Sequence, residues 1–173
     1  LELCQRLDVR RVLETHGHFD HIGAVPQMRE AGYEVAVTSQ DAPMLKDVGY
    51  DVFLDDAEVI EVGKVRLHAI HNPGHTPGSV SYVVAGRLFT GDTLAIGSPG
   101  TPGPEAGSLE ALWQSTLSLR GLAPETRLHP GHDSGPEPTA TIETERLRNA
   151  GLRAASLEEF RAAVERATGR SHQ

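Results

Sequence analysis

Cysteine is nearly absent: Cys4 is the single one in 173 residues. No internal disulfide can form, which points to a reducing, cytoplasmic setting. Long apolar runs are also missing. None approaches the roughly 20 residues of a membrane span, and no signal peptide is visible, so no membrane partner is expected. Basic charge is short too: 16 Lys and Arg against 24 Asp and Glu leave a net charge of −8. Because phosphate binding relies on clustered cations, a nucleic-acid partner is excluded. What remains is an ordinary enzyme-sized chain. Its length and 38% hydrophobic content suit one core, so residues 1–173 are read as a single domain. The first residue is Leu1, and residues 1–7 read as the end of a helix already under way.

Histidine, by contrast, is plentiful, and its placement is uneven. Thr15-His16-Gly17-His18-Phe19-Asp20-His21 packs three imidazoles and a carboxylate into six positions. Residues 11–14 read as a short strand, and alternation along an extended chain sends His16 and His18 to one side. A turn after Gly17 brings Asp20 and His21 to a second position beside the first. One segment could therefore ligate two adjacent metal ions. The plainer reading, a polar loop with Asp20 capping a helix over residues 22–31, leaves the three histidines unexplained.

Three later positions offer further ligands, a rigid histidine at a strand end and then two runs, those ending at Asp92 and His132, that repeat one pattern of apolar strand, glycine and metal-compatible side chain. His75 lies in Asn72-Pro73-Gly74-His75-Thr76-Pro77-Gly78, where prolines limit the backbone on both sides. Asp92 ends Arg87-Leu88-Phe89-Thr90-Gly91-Asp92, and His132 ends Arg127-Leu128-His129-Pro130-Gly131-His132. Imidazole nitrogen and carboxylate oxygen suit Zn, Fe or Mn, and the lack of thiolate argues against a closed structural zinc site. His68, His71, His129 and His172 fall outside the pattern, with His71 the candidate exception because it lies near His75.

Strands and helices alternate along the chain. A strand over residues 33–38 precedes a helix over 42–48 capped by Ser39. Hairpins follow at Gly63-Lys64 and at Gly86. Ser108 opens a helix whose core face is Leu109, Leu112, Trp113 and Leu117. Further helices are expected over 142–149 and 157–167, the second opened by a Ser156 and Glu159 capping box. Residues 97–107, rich in proline and glycine, are too irregular for an element and are either a cleft wall or a surface loop.

With these residues in place, the chain resembles the metallo-β-lactamase-fold hydrolases, whose T-H-x-H-x-D-H signature stands here as Thr15 to His21. The resemblance implies a mixed α/β (α+β) fold, the four-layer αββα sandwich. In that family strands precede the first metal motif. They are missing here, so the chain is expected to be the C-terminal part of a longer domain. The resemblance also implies a ligand set: His16, His18 and His75 on one metal, Asp20, His21 and His132 on the other, and Asp92 bridging. Within the family, Pro73-Gly74-His75-Thr76-Pro77-Gly78-Ser79 and Phe89-Thr90-Gly91-Asp92-Thr93-Leu94 are similar to the glyoxalase II and persulfide dioxygenase branch. Best-known β-lactamases carry a cysteine ligand at the Asp92 position, which argues against antibiotic hydrolysis. Branch relatives often have a Gly-Arg-Thr-Asp-like stretch where Gly100-Thr101-Pro102-Gly103 stands.

The expected reaction is hydrolysis of a small-molecule thioester, hydroxyacylglutathione-like, by a hydroxide held between two divalent cations, zinc foremost with iron or manganese as alternatives. Metal binding lowers the pKa of water from 15.7 to about 7 at a zinc centre. Asp20 is expected to orient the nucleophile and Asp92 to bridge, making these two the catalytic pair. The runner-up is a single Fe(II) held by His16, His75 and Asp92, open to O₂ and a thiol-derived sulfur substrate as in persulfide dioxygenases. A non-catalytic metal-binding module is the third reading. No oligomeric state is read from the sequence.

Overall fold

The computed structural model describes residues 1–54, 56–133, 135 and 137–169; the tail histidine His172 lies outside them. In chain order the elements are α1 (Glu2–Arg6), β1 (Arg11–Leu13), α2 (Val25–Glu30), β2 (Glu34–Thr38), a 3₁₀ turn (Ala42–Leu45), β3 (Val52–Leu54), β4 (Val59–Val62), β5 (Val65–His71), β6 (Val80–Val84) and β7 (Arg87–Gly91). Then follow β8 (Leu94–Ala95), β9 (Ser98–Pro99), α3 (Leu109–Arg120), β10 (Arg127–Pro130), β11 (Ala140–Thr141), α4 (Ile142–Arg148), α5 (Ala150–Arg153) and α6 (Leu157–Thr168).

The strands form two main sheets, a parallel β1-β2-β3 and a mixed β11-β10-β7-β6-β5-β4. Val35, Ala36 and Val37 of β2 are all buried, as a central strand covered on both faces requires. Val35 and Val37 pack outward on Ile22, Val25 and Leu45, while Ala36 turns inward onto Ala69, Val80 and Tyr82 of the second sheet. On the far side of that sheet, Leu88 and Leu128 meet Leu119, Ile142 and Leu152 of the helices. The result is helix, sheet, sheet, helix, the expected four-layer αββα sandwich. One polar tie crosses between the sheets: the buried Tyr82 hydroxyl donates to the Glu14 carbonyl at 2.6 Å, just ahead of the histidine-rich segment.

Both hairpins have two-residue turns, fixed by Val62↔Val65 and Val84↔Arg87 pairing. At the second, Ala85 and Gly86 both take positive φ (47° and 74°), the geometry that matches the twist of paired strands.

Several local expectations are corrected. The helix over 42–48 is only a 3₁₀ turn, and its N-cap is Asp41 rather than Ser39, whose hydroxyl donates to Gln40 Oε1 instead. On α3 the buried positions are Leu112, Ser115, Thr116 and Leu119; Leu109, Trp113 and Leu117 are half-buried, because α3 meets α5 and α6 as well as the sheet. The helix over 142–149 stops at Arg148. Asn149 is extended and caps a separate α5, its side chain accepting from Gly151 and Leu152 N–H. The α6 box is shifted by one: Ser156 accepts from Glu159 N–H, but Glu159 accepts from Ala155 N–H. Residues 97–107 do contain an element, β9, which pairs with β8.

Candidate metal centre

Strand direction decides where the ligand candidates go. Both β5 and β7 run antiparallel to β6, and β10 runs parallel to β7, so β5, β7 and β10 point the same way. His75 follows β5, Asp92 follows β7, His132 follows β10, and the segment from His16 to His21 follows β1. All seven candidates thus collect at one rim.

Among the described residues, three groups bring ligand atoms within 4.8 Å of one another: His16, His18 and His75; His16, His21 and Asp92; and Asp20, His21 and His132. The facing nitrogens are close, 2.9 Å from His75 Nε2 to His18 Nδ1 and 3.1 Å from His21 Nε2 to His132 Nε2. Asp92 lies between the groups. Its Oδ2 is 3.6 Å from His75 Nε2 and 3.3 Å from His132 Nε2, and its Oδ1 is 3.5 Å from His21 Nε2. His16 Nε2 and Asp92 Oδ1 are buried without a hydrogen-bond partner. Buried polar atoms of this kind need an explanation, and an ion at the centre of the cluster supplies one.

The electrostatics fit. Burial, with the neighbouring His21 and His75, pushes His16 down to about 3, and burial likewise lowers His75. Both rings are therefore neutral near pH 7, the form that ligates. His75 Nδ1–H donates to the Thr101 carbonyl at 2.7 Å, which leaves the Nε2 lone pair facing the centre. Burial pushes the Asp92 carboxyl up, but pairing with His21 and the surrounding imidazoles outweigh it and hold it at about 2. That pairing raises His21 in turn. Just ahead of the segment, burial pushes Glu14 up to about 7, against the pull of His21.

Some local reasons differ from those expected. Gly17 has no positive φ; it is needed because a Cβ there would sit 2.7 Å from Met44 Cβ. Asp20 caps no helix, since α2 starts only at Val25 with Ala24 as N-cap. His71 stays outside the cluster and braces the next loop, its Nε2 donating to the Pro77 carbonyl at 2.9 Å. His129 stacks on Phe89, with centroids 5.0 Å apart, and His68 is an exposed strand residue. A cleft of about 970 Å³ opens from His18, Asp20, His75 and Asp92. Residues 101–105 form one of its walls and α6, through Arg161 and Val164, another. Phe19 stands at its mouth, 85% exposed, and Phe19 and Arg161 escaped the sequence reading because neither carries a spacing signal.

An αββα sandwich with histidines and aspartates gathered at its strand ends defines a class, the metallohydrolase fold with a rim-borne metal centre. Comparison with known proteins is specific: residues 1–132 match the Metallo-beta-lactamase superfamily model, and the chain belongs to that superfamily. The hydroxyacylglutathione hydrolase of Rhodopseudomonas palustris (strain HaA2) is 33% identical over 148 residues, 83% of this chain and 56% of that protein. Among solved structures, ETHE1 from Myxococcus xanthus superposes with a TM-score of 0.82 at 29% identity, covering 96% of this chain and 73% of that one. TTHA1623 in a di-iron-bound form gives 0.71 at 30% identity, covering 86% and 82%. The chain spans about half the length of the curated relatives it matches, from 35% to 63%. No helix among the described residues is long and apolar enough to cross a membrane.

Proposed function

We propose that the chain is the metal-bearing part of a hydrolase that cleaves a small-molecule thioester of the hydroxyacylglutathione kind, in a cytoplasmic setting. The observation that carries this reading is Asp92, whose carboxylate lies within 3.6 Å of His75 on one side and of His21 and His132 on the other. His16, His18 and His75 would hold one divalent cation and Asp20, His21 and His132 a second, with Asp92 shared; zinc suits this donor set, as do iron and manganese. Such ions, when bound, lower the pKa of water and polarise a carbonyl oxygen. The protein's own groups do the rest. The hydrogen bond to Thr101 fixes the His75 tautomer, and Asp20, at the open rim, accepts a hydrogen bond from the attacking water and so orients it. Residues 101–105 and Phe19 screen the acyl group from bulk water. A thiolate leaving group, with a reference pKa of about 8.5, departs with little need of an acid.

The test is thioester hydrolysis by metal-loaded protein under strict anaerobiosis. Turnover is expected to persist without oxygen and to fall by about 10²–10³-fold in His132→Ala, the equivalent of the several kcal/mol a metal contributes. A second reading, a persulfide dioxygenase with one Fe(II) on His16, His75 and Asp92, is favoured by one contrast. His16 and His75 are buried, whereas the His132 and Asp20 side chains are 52% and 42% exposed. Oxygen uptake with glutathione persulfide and no thioesterase activity would transfer the assignment to it. Neither activity in metal-loaded protein would leave the non-catalytic module.

A further inference from the structure

Asp41 is fully buried and lies outside the ligand cluster, yet its carboxylate joins two of the loops that carry it. Oδ2 accepts from Gly17 N–H at 3.0 Å and from the Thr76 hydroxyl at 2.6 Å, and Oδ1 accepts from Gly78 N–H at 2.7 Å. Gly17 stands between His16 and His18, and Thr76 follows His75. Asp41 is formally the N-cap of the 3₁₀ turn, but its side chain makes no capping hydrogen bond. The fit is close: a Cβ on Gly78 would lie 2.6 Å from the Asp41 carboxyl carbon. A second tie from the same strand end runs alongside, the Thr38 hydroxyl donating to the Gly78 carbonyl at 2.7 Å. The two buried Asp41 oxygens are satisfied by the three hydrogen bonds from Gly17, Thr76 and Gly78.

We infer that Asp41 is a positioning residue that sets the spacing of His16, His18 and His75 by pinning Gly17 to Thr76 and Gly78. This rests on the proposal that these three histidines hold a metal. A carboxylate is required rather than an amide, because both oxygens accept and an Asn would turn an NH₂ group toward one of two backbone N–H donors. Thr76 is the one partner that can be removed without altering the backbone or the carboxylate.

The experiment uses the full chain carrying His132→Ala, which weakens the exposed site and leaves the three-histidine set for zinc. Zinc affinity of the metal-free protein is measured against a chromophoric chelator, the visible spectrum is recorded with cobalt(II), and the melting of the metal-free protein is followed in parallel. Asp41→Asn is expected to weaken zinc binding by about 10–100-fold, the range for groups that orient metal ligands, and to change the cobalt spectrum. Thr76→Val should shift both in the same direction by less. Should Asp41→Asn fail to fold, Thr76→Val alone carries the comparison. Unchanged zinc affinity and cobalt spectrum in every folded variant, whatever the change in melting, would reduce Asp41 to a structural role and overturn the inference. A parent that takes up no zinc would contradict the metal reading, and this inference with it.

Discussion

Gly74 is the position where one methyl group does most damage to the centre without touching a ligand. Its φ is +139°, a region essentially restricted to glycine, and a Cβ there would lie 2.3 Å from both N and Cα of Leu112. Those are backbone atoms in the first turn of α3, so they cannot give way as a flexible side chain would. The loop is also tied to this helix by Ser108 N–H donating to the Gly74 carbonyl at 2.9 Å. Gly74→Ala therefore combines backbone strain of about 1–3 kcal/mol with overpacking of about 1–3 kcal/mol, roughly 2–6 kcal/mol together. For a chain of this size each kcal/mol moves Tm by about 2–4 °C, which gives a fall of roughly 4–24 °C. Gly86→Ala is the control, because its φ is +74° but nothing lies within 4 Å of the added Cβ. It should cost only about 1–2 kcal/mol of left-handed strain. Calorimetry of the metal-free variants at one pH measures both. Equal melting of the two would refute the packing argument and the docking of the His75 loop on α3.

Three further outcomes are expected. Asp92→Ala removes the carboxylate common to both ligand sets and should lower metal content and activity together; undiminished turnover with full metal content would exclude both enzymatic readings. Phe19→Ala, at an 85% exposed position on the cleft mouth, should change stability by less than about 0.5 kcal/mol while raising KM, checked by melting and steady-state kinetics. His129 has its pKa lowered by burial and by Arg87 and Arg127. A folded pKa below the unfolded one makes its contribution present above the unfolded value of 6.5 and lost as pH falls through the folded value. Stability of the metal-free protein should therefore drop more steeply below pH 6.5 than that of His129→Phe, and parallel pH profiles would show this assignment to be wrong.

The ligand candidates were legible because their chemistry leaves a local trace. Three imidazoles within six residues, or a glycine then Asp92 at a strand end, can be read without knowing the fold. The hairpins were legible for the same reason, two strands and their turn being one short segment. Asp41 was not, because its partners lie 24 to 37 residues away and Asp before Ala-Pro reads locally as a helix start. The break at Asn149 was hidden similarly. Its side chain reaches the Ala95 and Ser98 carbonyls and Glu145, a network that a helical period does not reveal. On α3 the 3.6-residue period placed the helix but not its buried face, since Ser115 and Thr116 sit inside by bonding to the Pro73 and Leu112 carbonyls.

The central claim is a two-metal centre that shares Asp92, and it is met most directly by counting metals. Protein purified without chelator is analysed for zinc, iron and manganese per chain, alongside His132→Ala. Two divalent ions per chain, falling to one in the variant, is the predicted result. One iron per chain in both proteins, or no metal in either, would contradict it.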